Sequence, residues 1–273
     1  MVVRNFLNYI LLHNVCPEYN EDIAQARHIC NIADDEHPRI CLISPSLPGD
    51  FNQACSTLYG GHYKGLTTNT YIDPFATTPT LYLTDAEAQR IVMTAFAMIG
   101  SQELYTKVLA GTPKHVKSAF RSMEVVEVIP ATEETINAYK AVKDTHGESG
   151  KLRPLGILKL RHWENPFALE EDLTEAEIAN PGIIEPHPDT EIWLEDFILE
   201  ACFIGMKIEA MFHELDIGLT YFDATTNLHP SFYTYLDNER MAYWKEPKLN
   251  ERPPPMVGED VDIDGAAEEE DFE

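Results

Sequence analysis

Residues 192–222, IWLEDFILEACFIGMKIEAMFHELDIGLTYF, decide the fold. Trp193, Phe197, Ala201 and Gly205 fall at helical spacing, which suits a helix over the first part. Met206–Leu215 and Gly218–Phe222 carry the pattern of two strands in a β-hairpin. The reading adopted is a short helix or strand followed by the hairpin, which places the chain in the α+β class.

Two segments upstream extend the same sheet. Ser122–Ile129 (SMEVVEVI) alternates as a strand does, and Arg153–Trp163 forms another, with the helix Glu133–Lys143 and the loop THGESG between them. Towards the N-terminus the period changes to helical. Val3, Phe6, Leu7, Ile10 and Leu11 make a first helix over 2–13, stopped by Pro17. No capping residue precedes it, so the natural chain is expected to extend N-terminally, or this is a trimmed piece. A second helix is expected from Glu18 to Asp35, with Ile23, Ala26, Arg27, Cys30 and Ala33 recurring every three or four positions. Pro38, Pro45, Pro48 and Gly49 then read as a tight connection. A third helix over Asp50–Leu58 stops at Gly60–Gly61. Residues 66–83 read as loop and a short strand, Thr80–Leu83. Thr84 and Glu87 form a capping box for the helix Asp85–Ile99, and another helix covers Gln102–Leu109. The expected architecture is a helical N-terminal part followed by a mixed helix/strand part with an antiparallel sheet. A single compact domain is expected over 1–249, with a sub-boundary near 66–80. Pro253–Pro255 then open a disordered acidic tail over 250–273.

Composition bounds the function classes. No run approaches the roughly 20 apolar residues of a membrane helix, and MVVRNFLNYILLHNV lacks the small-residue cleavage site of a signal peptide. The five cysteines therefore read as thiols in a reducing compartment. The formal charge is −26, and residues 258–273 hold nine Asp/Glu with no Lys or Arg, leaving −17 (−26 + 9) on the remainder. Such a balance opposes independent, tight nucleic-acid binding, which relies on cations displacing counterions.

Four sets of residues are candidate sites. His13, Cys16, His28, Cys30, His37, Cys41, Cys55 and His62 could supply metal ligands, but none makes a C-x₂₋₄-C knuckle, so buried structural thiols are the better reading. His213–Glu214–Leu215–Asp216 lacks the second histidine of H-E-x-x-H, and the chain has no G-x-S-x-G, P-loop or G-x-G-x-x-G. No catalytic signature and no cofactor motif results, and the chain reads as a non-enzyme. Residues 107–161 hold ten of the twenty Lys/Arg against six acids. Lys114, Lys117 and Arg121 there sit at helical spacing, and Lys151, Arg153, Lys159 and Arg161 share one face. That ribbon either pairs with the protein's own acids or contacts RNA phosphate or an acidic partner. Finally, SFYTYLDNERMAYW is dense in aromatics; Tyr233, Tyr235, Tyr243 and Trp244 are either an interface patch or the anchor that docks the last segment on the core.

VVRNFLNYILLHNVCPEY and LPGDFNQACSTLYGG, with IWLEDFILEACFIGMKIEA, LTYFD and PSFYTYLDNERMAYWKEP, resemble the conserved core of the Argonaute-binding subunit of the fungal Argonaute siRNA chaperone complex, over about 2–248. Family members carry a further, partly basic N-terminal region that this sequence does not include. The resemblance implies a non-catalytic subunit that binds Argonaute together with a second chaperone subunit and meets siRNA only through Argonaute. It implies restraint of passenger-strand release and slicing, support of siRNA-directed histone H3 lysine 9 methylation and heterochromatin, and a nuclear location with the cytoplasm as a second one. Residues 164–200 hold twelve acids and no Lys or Arg. Glu170, Glu171, Asp172, Glu175 and Glu177, or the tail, are the acids expected to meet Argonaute's basic surface. The alternatives are a metal-binding Cys/His module and a direct duplex-RNA-binding protein.

Overall fold

Alternating residues on five strands bury two opposite faces of one antiparallel sheet. The strands are β1 (His115–Ile129), β2 (Leu155–His162), β3 (Thr190–Glu195), β4 (Lys207–Leu215) and β5 (Thr220–His229), in the order β3-β2-β1-β4-β5. The computed structural model describes residues 2–66, 82–146, 151–164, 187–234 and 245–249. The α+β class, with helices first and an antiparallel sheet after, is what it shows. Contacts divide the chain into two compact units, Met1–His37 with Leu236–Glu273, and Pro38–Tyr235.

In the larger unit, one sheet face carries Met123, Val125, Leu158, Leu160, Ile192, Leu194, Ile208, Ala210, Phe212 and Phe222 into a single core that Ile43, Ile198 and Phe203 complete. The opposite face gives Leu155, Trp193, Leu215 and Tyr221 to a second core, shared with α3 (Asp50–Tyr59) and α4 (Asp85–Met98). The expected capping box of α4 is present: Thr84 and Glu87 satisfy one another's backbone N–H groups. Helices α5 (Gln102–Ala110) and α6 (Glu133–His146) follow the sequence reading. Of the stretch read as a short helix or strand before the hairpin β4–β5, Thr190–Glu195 is strand β3 and only Asp196–Leu199 is helical (α7). Trp193 thus lies on a strand, and its helical spacing with Ala201 and Gly205 is not borne out.

The two edge strands, β3 and β5, approach one another, so the sheet curls. Asn52 of α3 closes the seam. Its Nδ2 donates to the carbonyls of Trp193 on β3 (2.9 Å) and Pro48 (3.0 Å), and its Oδ1 accepts from the N–H of Phe222 on β5 (3.4 Å). Its side chain is 0% exposed, so each of these backbone groups has exchanged water for one amide.

Helix α3 is capped from outside its own sequence. Gly49 offers no side chain at the N-cap, and Glu195 Oε1 accepts the Phe51 N–H at 2.7 Å. Burial, helped by nearby Asp50 and opposed by the Phe51 N–H, raises the Glu195 pKa from 4.5 to about 7. The folded chain thus holds this proton more tightly than the unfolded one. Its stabilising contribution is whole below pH 4.5 and is lost as pH rises through about 7. Glu195→Gln keeps an acceptor for Phe51 and abolishes the loss. Urea unfolding is expected to show the wild type losing on the order of 3 kcal/mol more than the variant between pH 4.5 and 8. Parallel curves for the two proteins would refute the assignment.

Three further expectations need correction. The second helix does not end near Asp35: α2 runs Asn20–Ile43, with Pro38 inside it. Proline removes one helical donor, and tertiary anchors just beyond it hold the turn. Arg39 donates to the carbonyls of Ala201 and Cys202 (3.2 and 2.7 Å) and lies over the Phe203 ring, while Ile43 is buried. Tyr82 and Leu83 form no strand; Leu83 is a buried residue leading into the cap of α4, and Thr80 and Leu81 lie outside the described residues. Strand β1 begins at His115 rather than Ser122, so Lys117 and Arg121 lie on a strand and Lys114 just before it, and their helical spacing means nothing.

The smaller unit contains α1 (Val2–Leu12), a 3₁₀ turn at Pro17–Tyr19 and α2 up to His37. The described residues 245–249 join it: Lys245 N–H donates to the Tyr19 hydroxyl (2.7 Å), its ammonium pairs with Asp22, and Lys248 N–H donates to Glu18 (3.1 Å). Arg4 pairs with Asp34 between the two helices.

Candidate functional site

A buried polar cluster of the larger unit surrounds Asp223. Its Oδ2 accepts from Ser56 Oγ on α3 (2.5 Å) and from the His62 N–H (2.7 Å), and its Oδ1 meets His213 Nε2 on β4 (2.9 Å). Burial works to raise the Asp223 pKa, but the hydrogen bonds from His213, Ser56 and His62 outweigh it and hold the carboxyl below its ordinary value. An ionised carboxylate only accepts, so the Nε2 that faces it is the protonated nitrogen of His213. Ser118 Oγ lies 2.7 Å from His213 Nδ1, and His115 Nε2 lies 2.7 Å from Ser118 Oγ, extending the chain of hydrogen bonds. Tyr221 stacks on the His213 ring and donates its hydroxyl to the Gly60 carbonyl (2.5 Å).

Glycine is required where the chain passes this carboxylate. Gly61 has φ +134°, and a Cβ there would lie 2.2 Å from Asp223 Oδ2 and 2.5 Å from Ser56 Oγ. On the other side of Asp223, Ala224 has φ +44° and opens a bulge in β5, where Asp223 pairs with Met211 and Asn227 with Glu209. A cavity of about 260 Å³ lies beside the bulge, lined in part by His62, Tyr63, Thr225 and Asn227.

Ser118, His213 and Asp223 have the connectivity of a hydrolase triad, with the ring nitrogens exchanged. The chemistry does not follow. Ser118 lies mid-strand in β1 rather than on a strand–helix elbow, and its hydroxyl is also engaged by His115. The cluster instead clamps α3, the turn at Gly60–Tyr63, β1 and the hairpin into one body.

The ribbon expected on one face is brought together only in part. Lys159 and Arg161 project from β2. Lys159 pairs with Glu127 (2.9 Å) and more loosely with Glu191, and Arg161 pairs with Glu124 (2.9 Å). Lys151 and Arg153 precede the strand, and Arg153 lies over the exposed Phe197 ring. Tyr233 stacks on His229 at 4.0 Å between ring centres and meets Trp163 edge-on, beside which Lys207 is placed. Tyr235, Tyr243, Trp244 and the acids Glu170, Glu171, Asp172, Glu175 and Glu177 lie outside the described residues. Of the cysteines flagged as buried thiols, only Cys55 is buried; Cys16 and Cys30 are half-buried and Cys41 is exposed on the last turns of α2. Among the described residues no group of three or more His, Cys, Asp or Glu is placed to hold a metal, so the metal-binding alternative has no support.

The family model of the Argonaute siRNA chaperone (ARC) complex subunit Arb1 matches residues 1–247. The chain belongs to the Arb1 family. It is 35% identical over 65 residues to Argonaute-binding protein 1 of Schizosaccharomyces pombe, a stretch covering 24% of this chain and 16% of that protein. No solved structure matches. Sequence reasoning missed Ser56, Ser118, Asp223 and Asn52 altogether. The usable signal was the pair Gly60–Gly61, noted only as a helix stop, whose second member lies against Asp223.

Proposed function

We propose that this Arb1-family chain is a non-catalytic subunit that binds Argonaute carrying duplex siRNA, together with a second chaperone subunit. In that role it restrains passenger-strand release and slicing, and it supports siRNA-directed histone H3 lysine 9 methylation in the nucleus. The observation that carries this reading is the family match along residues 1–247. Charge supports it: a chain of −26 is suited to a basic, nucleic-acid-binding partner rather than to RNA itself. Lys159 and Arg161, two of the candidate phosphate contacts, are engaged by Glu127, Glu191 and Glu124.

The test mixes the purified chain with its cognate Argonaute loaded with duplex siRNA and follows co-elution and target cleavage. Co-elution with suppressed cleavage is the expected result. Replacing the acids of residues 164–200 by Asn and Gln, with the buried Glu195 left in place, is expected to weaken association and flatten its salt dependence. Unchanged affinity and salt slope would remove the acidic block from the interface. No association even with the second subunit and a longer chain present would overturn the reading.

A further inference from the structure

Among the described residues, strand β1 has a neighbouring strand on one side only over its first half. It pairs with β4 from His115 to Glu124, whereas β2 joins its other side only from Met123 onward. The last bond on that other side among the described residues is Trp163 N–H to the Ser122 carbonyl at 3.0 Å. Antiparallel alternation turns the N–H and C=O groups of Ser118 and Phe120 to the same side, where no described strand meets them. The free stretch HVKSAFR, His115–Arg121, spans roughly 24 Å at about 3.4 Å per residue.

Folds blunt such edges with proline, bulges, charge or a cover. A register shift at Val116 interrupts the start of the edge, but Lys117–Arg121 pairs regularly with β4 and contains no proline. Val116 is 62% exposed and Phe120 48% exposed, so apolar surface flanks the unpaired backbone. Phe120 lies on the sheet face of His213 and Met211. Lys117, Ala119 and Arg121 lie on the face of Glu214, Phe212 and Ala210.

The charge at this edge opposes that of the whole chain. Lys114 and Lys117 are exposed and form no ion pair among the described residues. Arg121 is 2% exposed; it pairs with Glu214 and lies over the Phe212 ring, yet its Nε and Nη1 have no acceptor. His162, opposite Met123, meets His187 edge-on at 5.2 Å. The nearby acids are Glu214, held by Arg121, and Asp216, whose carboxylate accepts the Lys114 N–H.

We propose that the free edge of β1, His115–Arg121, is a strand-addition site for an extended segment of a protein partner whose side chains alternate between apolar and carboxylate. Ladder bonds to Ser118 and Phe120 supply affinity. An apolar residue of the added strand lies beside Phe120 on one face. A carboxylate lies beside the exposed Lys117 on the other, while the buried Arg121 keeps its pair with Glu214. RNA fits less well, because phosphates accept but do not donate, leaving the Ser118 and Phe120 carbonyls unmet. The inference goes beyond the Argonaute reading and does not depend on it.

The test uses the full chain and a blocked eight-residue peptide alternating Glu and Val, read by amide hydrogen exchange. Saturating peptide is expected to slow exchange at Ser118 and Phe120 by about tenfold or more. An alternating Lys–Val peptide and a duplex RNA are expected to leave both unchanged. Phe120→Pro removes an N–H that β4 does not use, so the unfolding midpoint should hold while peptide protection at Ser118 disappears. Lys117→Glu alters an exposed side chain and is expected to weaken the peptide about tenfold. The proposal is overturned if the peptide leaves both amides unprotected, or if Lys117→Glu binds it unchanged. It is also overturned if duplex RNA protects the amides equally, or if protection rises with protein concentration alone, which would put a second copy on the edge.

Discussion

Asn52→Leu is expected to destabilise the larger unit by about 3–6 kcal/mol, since it strands buried carbonyls of Pro48 and Trp193 and the N–H of Phe222 at about 1–3 kcal/mol each. The 3.4 Å bond to Phe222 is long and contributes least, so the two donated bonds dominate. Leucine is close in volume, and the loss reports unmet hydrogen bonds rather than a cavity. Asn52→Asp is the sharper variant: it keeps the shape and turns an oxygen towards carbonyls that need a donor. Thr57→Val provides the comparison on the same helix. Thr57 Oγ1 only returns to the Gln53 carbonyl of its own turn (2.9 Å), and its loss should cost less than about 1 kcal/mol. Urea unfolding of the three variants decides the matter. If Asn52→Leu cost no more than Thr57→Val, the two edge strands would not be held through that amide.

The α+β class was legible because it depends on local period. Val3, Phe6 and Ile10 repeat helically, SMEVVEVI alternates, and each stretch adopted the structure of its period. The misreadings came from tertiary contacts that no local pattern encodes. Pro38 read as a terminator, but Arg39 and Ile43 tie the last turns of α2 to Ala201, Cys202 and the core, and these outweigh one missing helical bond. HVKSAFR lacks strand alternation because its side chains from His115 to Ser118 are all exposed, so only pairing with β4 makes it a strand. The polar clamp was invisible for another reason. Ser56 and Asp223 are 167 positions apart and Ser118 and His213 95 apart, so no motif spacing joins them. The basic ribbon was visible as composition, but whether Lys159 and Arg161 were free turned on Glu127, Glu191 and Glu124 across the ladder, which requires the register.

Gly61→Ala is expected to be strongly destabilising, and Gly60→Ala beside it separates the two causes. Both glycines have φ in the region L side chains avoid, +127° at Gly60 and +134° at Gly61, so either substitution carries about 1–3 kcal/mol of backbone strain. A Cβ at Gly60 meets nothing within 4 Å. At Gly61 it would lie 2.2 Å from Asp223 Oδ2, 2.5 Å from Ser56 Oγ and 3.1 Å from His213 Nε2. A carboxylate at the end of a flexible side chain could swing away cheaply on a surface. Asp223 cannot, because it is buried and three donors converge on it; moving it leaves Ser56, the His62 N–H and His213 unmet. Gly61→Ala should therefore cost about 3 kcal/mol more than Gly60→Ala in urea unfolding. It should also reach β1: with Asp223 displaced, His213 loses its bond at Nε2, and with it the fixed ring that Ser118 meets on the far side. Imidazole nitrogen shifts of His213 measured by NMR are expected to change in Gly61→Ala and to stay constant in Gly60→Ala. Equal destabilisation with unchanged His213 shifts would mean that the turn tolerates the methyl and that the clamp does not hold Gly61 in place.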